Sequence, residues 1–170
     1  MTILPGLDAA PNLHPMLVHF PLALWLTALA FWGGSAVTGN KALWKAGTWC
    51  LALGTLGGIA SVATGFLGTN AMGHDSPGHS LIHVHRNFMV ATTVLATAVT
   101  GLALWRREPP DGLRWGLLAA LGLTTAVMTV GADRGAELVY RYGVGVLNES
   151  PPEAASHDHK DGGHGTDGHH

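Results

Sequence analysis

Two groups of histidines stand where the chain turns apolar. HPMLVHFPLALWL, residues 14–26, carries His14 and His19; GHSLIHVHRN, residues 78–87, carries His79, His83 and His85. A neutral imidazole offers one basic nitrogen to a hydrogen bond or a metal and keeps its proton on the other. An ionisable side chain is costly inside a bilayer, so it turns toward the protein interior. Imidazoles from two segments at matching depth therefore support three chemistries: a mutual hydrogen bond, a bare metal ion, or an iron gripped from both faces of a haem.

The elements that must position them follow from composition. The chain has 170 residues, 47% hydrophobic and 12% charged, where a soluble domain carries about a quarter charged. Mean hydropathy is +0.25. Residues 17–37, 46–72, 87–105 and 115–132 contain no charge, and about 20 apolar residues cross a bilayer as helix. Irregular backbone facing lipid leaves peptide groups unbonded, which excludes most other solutions. The expected fold is all-α, a four-helix transmembrane bundle spanning residues 16–134. A single cysteine, Cys50, lies in an apolar stretch; it provides no disulfide and reads as a small buried hydrophobe.

Four spans put both termini and the loop 73–86 on one side. The two loops on the other side carry Lys41, Lys45, Arg106, Arg107 and Arg114 against Glu108 and Asp111. The terminal side carries four basic residues against nine acidic ones. Basic short loops stay in the cytoplasm, so both termini are expected on the outer, periplasmic side of a bacterial inner membrane. Trp44, Trp49, Trp105 and Trp115 lie toward the basic side. Residues 1–15, with Asp8 and no basic run, read as an outer segment that stays attached rather than a cleaved signal. Gly54, Gly57 and Gly58 in the second span suit close helix packing in lipid. Residues 135–147 are expected as a separate interfacial segment capping the bundle. Residues 148–170, rich in glycine and charge, are expected to be disordered.

No histidine lies in the basic loops. His74 and His79 read as exposed loop residues, with Ser76 and Pro77 as cap and first turn of the third helix. His14 precedes Pro15 and sits near a helix start, whereas His19 lies more than a turn deeper. His83 and His85 face about 200° apart on a helix, and His85 is the deeper. Gly65 and Gly68 end the second span and Gly131 the fourth, leaving room at that level for a flat macrocycle. Arg86 and Arg134 flank it, where propionates need cations. A bare zinc or copper site recruits a cysteine or carboxylate more often than imidazole alone. In the tail, His157, His159, His164, His169 and His170 alternate with aspartate and glycine, a loose supply of ligands for divalent metal.

NLHPMLVHFPLAL in the first span, His85 at the start of the third and GAELVYRYGVGV after the fourth resemble the domain-of-unknown-function 2231 family, small four-helix bacterial membrane proteins. The resemblance runs to about residue 146 and leaves the tail outside. It implies the four-helix fold and singles out His14, His19 and His85, but not His83. Relatives fused or adjacent to cytochrome-type domains imply a redox setting.

The leading reading is a b-type cytochrome or haem-carrying subunit moving electrons near the periplasmic face. His19 and His85 are the expected axial ligands of haem b, adjusted by His14 and His83, with Arg86 and Arg134 on the propionates. A second reading is a copper- or zinc-handling protein whose tail passes metal to His14, His19, His83 and His85. A third is a structural accessory subunit of a larger membrane redox complex. Expected partners are the lipid bilayer, such a complex or a periplasmic cytochrome, and further copies of the chain; nothing points to nucleic acid. No nucleophile–base pair or carboxylate dyad occurs in the spans, so enzymatic chemistry beyond electron transfer is not expected. Topology is directly testable. A reporter fused after His170 is expected to read as periplasmic and one inserted at Gly39 or Pro110 as cytoplasmic; the reverse pattern refutes the charge argument.

Overall fold

Each uncharged stretch becomes helix, and three of the four helices run well past the stretch that announces them. The computed structural model describes Ile3 and residues 13–70, 78–106 and 109–146. A short turn, α1 (His14–Leu17), leads into α2 (His19–Thr38), followed by α3 (Lys41–Asn70), α4 (His79–Trp105) and α5 (Asp111–Tyr142). There is no strand among the described residues. Counting α1 with α2, four helices are long and apolar enough to cross a membrane. Consecutive helices pack side by side, and α2 also meets α5, which closes the bundle.

The interruption between α1 and α2 has a local cause. Pro21 lacks an amide proton for the carbonyl of Leu17, and its ring crowds that carbonyl. Val18 keeps helical dihedrals and its amide and carbonyl bond His14 and Leu22, so α2 continues on from α1. At the far end of α2, Gly39 takes the left-handed conformation at φ 68° and its amide bonds Ser35. Asn40 then starts α3, its side-chain oxygen accepting from the Ala42 amide at 2.9 Å, the usual function of asparagine before a first turn.

The interior is filled by aromatic rings set into glycine gaps. Trp25, Trp32 and Trp44 are buried with Leu51, Leu121 and Met128. A Cβ added at Gly54 would lie 2.7 Å from Trp25, and one added at Gly47 would meet the Trp32 ring at 2.5 Å. The Trp32 and Trp44 rings stack at 4.4 Å, and Trp32 Nε1 donates to the Trp44 carbonyl at 3.2 Å. Hydroxyls complete the interior. Thr55 and Thr100 bond across α3 and α4 at 2.9 Å, while Ser61, Thr92 and Thr124 bond carbonyls of their own helices. Small and hydroxyl residues at helix contacts are what close packing in lipid requires. Outward faces carry exposed Leu26, Leu56, Val94 and Leu123, suited to acyl chains.

Two expectations are corrected here. α4 begins at His79, so His79 stands on helix and not in a loop; the helix is capped by Gly78 at φ 83°. Residues 135–142 are not a separate cap segment but the last two turns of α5. Nothing in Ala136, Glu137 and Leu138 breaks a helix. Glu137 also accepts from Arg134 at 3.1 Å and from Arg141 at 2.9 Å. The helix stops at Gly143, in the left-handed region at φ 64°. The calls on residues 1–12, Ser76 and Pro77, and the tail lie outside the described residues, apart from Ile3.

The glycine gaps can be tested. Gly54→Leu must expel Trp25 and is expected to cost about 1–3 kcal/mol, read as a lower unfolding midpoint in detergent. Gly101→Leu, where an added Cβ meets nothing within 4 Å, serves as the control. Equal losses from the two changes would rule out the notch as the cause.

Candidate functional site

The helical phase decides which imidazoles enter the bundle. Buried positions on α2 are Pro21, Trp25, Ala28, Trp32 and Ser35. Stepping back by sevens from Ser35 through Ala28 and Pro21 reaches His14, nearly the same face of the helix. His19 lies two residues from Pro21, on the opposite side and in line with exposed Leu26. On α4 the buried positions Ile82, Thr92, Ala96, Val99 and Ala103 put His85 on the inner face.

His14 and His85 accordingly meet at the end of the bundle that carries the histidines. Their ring centroids are 6.2 Å apart, with planes at 87°. His14 Nδ1 bonds the Ser61 carbonyl of α3 at 2.7 Å, and His85 Nδ1 bonds the Gly131 carbonyl of α5 at 2.8 Å. A carbonyl only accepts, so in each neutral ring Nδ1 holds the proton and Nε2 is the basic nitrogen. Glycines make room for both rings. A Cβ on Gly65 would lie 3.1 Å from His14 Nδ1, and one on Gly135 would lie 2.8 Å from His85 Cε1.

The partner of His85 is thus His14 and not His19. His19 is exposed, and its Nδ1 reaches only the Met16 carbonyl of the preceding turn at 3.4 Å. The gaps expected to hold a macrocycle are also occupied. Gly65 faces the His14 ring, while Gly131 is filled by Phe88 and Met89. Gly68 is half-buried in the last turns of α3. Both expected propionate cations have protein partners: Arg86 donates to His83 Nδ1 at 2.7 Å and lies over the Phe66 ring at 5.2 Å, and Arg134 pairs with Glu137. His83 faces His79 rather than His85, their Nε2 atoms 3.1 Å apart. His74 and the tail histidines His157, His159, His164, His169 and His170 lie outside the described residues.

In metal proteins the nitrogen of a ligating imidazole that does not touch the metal commonly bonds a carbonyl, which fixes tautomer and ring orientation. His14 and His85 are both held in that way. Two imidazoles on opposite sides of one metal, each bonded at about 2.0–2.1 Å, have centroids roughly 6 Å apart. Among the described residues no three of His, Cys, Asp and Glu converge, and the donors they bring together here are two imidazoles. That set suits a haem iron, which brings its own equatorial nitrogens, better than a zinc ion, which takes three or four protein ligands. Around Phe66, Arg86, Asn87, Val90 and Ala91 the surface of α3 and α4 forms an open groove of about 440 Å³. Sequence reasoning missed Ser61, whose carbonyl and not its hydroxyl takes part, and Gly135. The seven-residue recurrence that picks out His14 was visible in the sequence; the carbonyl partners were not.

The chain belongs to the family described as "Predicted membrane protein (DUF2231)", which matches residues 10–148. No curated protein and no solved structure matches it.

The tautomers are measurable. In ¹⁵N-labelled protein near neutral pH, long-range ¹H–¹⁵N correlations are expected to show the Nδ1–H form for His14 and His85. An Nε2–H form at either residue would break the carbonyl anchoring described above.

Proposed function

We propose that this membrane protein carries a bis-imidazole metal centre at the histidine end of its bundle, with His14 and His85 as ligands to the iron of a b-type haem. The observation that carries the reading is the pair itself: two imidazoles from different helices, 6.2 Å between centroids, each with Nδ1 tied to a carbonyl. When bound, haem supplies one-electron transfer. The chain's own contribution is to hold both rings in one tautomer and to set their separation through Gly65 and Gly135. The surrounding helices half-bury both rings. By the charge of its loops this end faces the periplasm, so the electron partner is a periplasmic or membrane-bound redox protein.

A second reading rests on the filled gaps over Gly65 and Gly131, which favour a compact occupant. A monovalent copper ion accepts two imidazoles and needs no macrocycle, and imidazole is among the ligands that suit copper.

The visible spectrum of protein purified from haem-sufficient cells separates the readings. Low-spin bis-histidine haem gives a Soret band with sharp α and β bands on reduction. His14→Ala and His85→Ala are each expected to abolish that spectrum or turn it high-spin, whereas His19→Ala leaves it in place. A colourless protein containing one copper supports the second reading. A spectrum that survives His14→Ala but not His19→Ala refutes the assigned pair.

A further inference from the structure

The seam between α3 and α4 is packed differently from that between α2 and α3. There, tryptophan rings fill the glycine gaps; here, the outward side of the seam is left open. Ile59, Val62 and Phe66 line it along one face of α3, and Val90, Val94 and Ala98 along one face of α4. Both sets recur at the three- and four-residue spacing that keeps side chains on one helical face. The groove of about 440 Å³ at Phe66 and Arg86 meets a second of about 510 Å³ at Val90, which borders both. Ile59 and Val94 are exposed, so the groove opens away from the bundle. From Arg86 to Ala98 the helix rises about 18 Å, and half of a bilayer's hydrocarbon core is about 15 Å thick. The groove therefore has the length of one leaflet's acyl layer.

Its far end is apolar, and its mouth carries a cation. Arg86 lies over the Phe66 ring at 5.2 Å, which holds the guanidinium at the groove. Nη2 donates to His83 Nδ1 at 2.7 Å, and Arg86 pairs with no described carboxylate. Glu137, which could reach a neighbouring cation, is engaged by Arg134 and Arg141. A guanidinium presents its N–H groups as a fork that matches two phosphate oxygens. Asn87, exposed at the same mouth, adds an amide donor. A neutral isoprenoid would fill the apolar length and leave the cation unanswered, and a free phosphate would do the reverse. A ligand with a long apolar chain and an anion at one end answers both.

We infer that the α3–α4 groove binds one anionic phospholipid, with an acyl chain along Val62, Val90 and Val94 and the phosphate on Arg86. The inference does not rest on the haem reading, because neither His14 nor His85 lines the groove. The test uses full-length protein, stripped of lipid in detergent and titrated with dioleoyl phosphatidylglycerol or dioleoyl phosphatidylcholine. Bound lipid is counted by native mass spectrometry. One phosphatidylglycerol is expected to bind about tenfold more tightly than phosphatidylcholine, the scale of one charge-assisted contact. Arg86→Gln is expected to abolish that preference, while Arg86→Lys keeps part of it. Arg134→Gln, which removes a cation already paired with Glu137, leaves it intact. Val94→Trp places a ring in the groove from an exposed position and is expected to weaken both lipids. Glycerol phosphate, which has the anion without the chain, is expected not to compete. Equal binding of the two lipids, a preference that survives Arg86→Gln, binding unmoved by Val94→Trp, or competition by glycerol phosphate each overturns the proposal.

Discussion

The register between α2 and α3 governs the rest of the molecule. Lipid offers no hydrophobic drive for helix to meet helix, so close contact and directional bonds must supply it. Here the contact is bulky rings seated in missing side chains. Trp32 lies against Gly47 and, seven residues back along α2 and seven onward along α3, Trp25 lies against Gly54. Eleven further in the same opposed sense, His14 lies against Gly65. The notches that lock the tryptophans therefore also deliver the imidazole. A slip of one residue would carry His14 away from both Gly65 and the Ser61 carbonyl.

The second imidazole arrives by a parallel device on the other pair of helices. His85 enters the gap at Gly135 and bonds the carbonyl of Gly131, one turn earlier on α5. Each ring is thus held by a helix other than its own. Each carbonyl is reached across a glycine one turn further on, Gly65 beyond Ser61 and Gly135 beyond Gly131, and a ring N–H that bonds a carbonyl is fixed in tautomer as well as position. This turns two ordinary histidines into a pair with defined basic nitrogens. The turn that includes Gly135 lies against His85, so α5 must continue past the uncharged stretch that ends at residue 132.

The same end of the bundle sorts its remaining polar groups by helical face. His85 points inward on α4, while His79, His83 and Arg86 line an adjacent face and bond to one another. Four groups within eight residues thereby belong to two separate networks. The hydroxyls deeper in the bundle bond mainly along their own helices, apart from the Thr55–Thr100 bridge. They fill space without creating a second polar centre.

Absence of charge over 17–37, 46–72, 87–105 and 115–132 was enough to determine four membrane-crossing helices, because length and apolarity are the whole requirement for a span. The histidine-bearing ends of two helices were equally plain. Depth along the chain, however, favoured His19 over His14, whereas helical phase sets the His14 ring against that of His85. Helix ends depend on caps and side-chain pairs such as Glu137 with Arg134 and Arg141, so α5 outran the apolar stretch that signalled it. What only the tertiary structure decided is which rings meet. Ring contact depends on helical phase and on the register between helices, and both are set by tryptophan rings fitting glycine gaps far from the histidines. The carbonyls of Ser61 and Gly131 belong to no side-chain pattern at all, so no reading of residue types could have placed them.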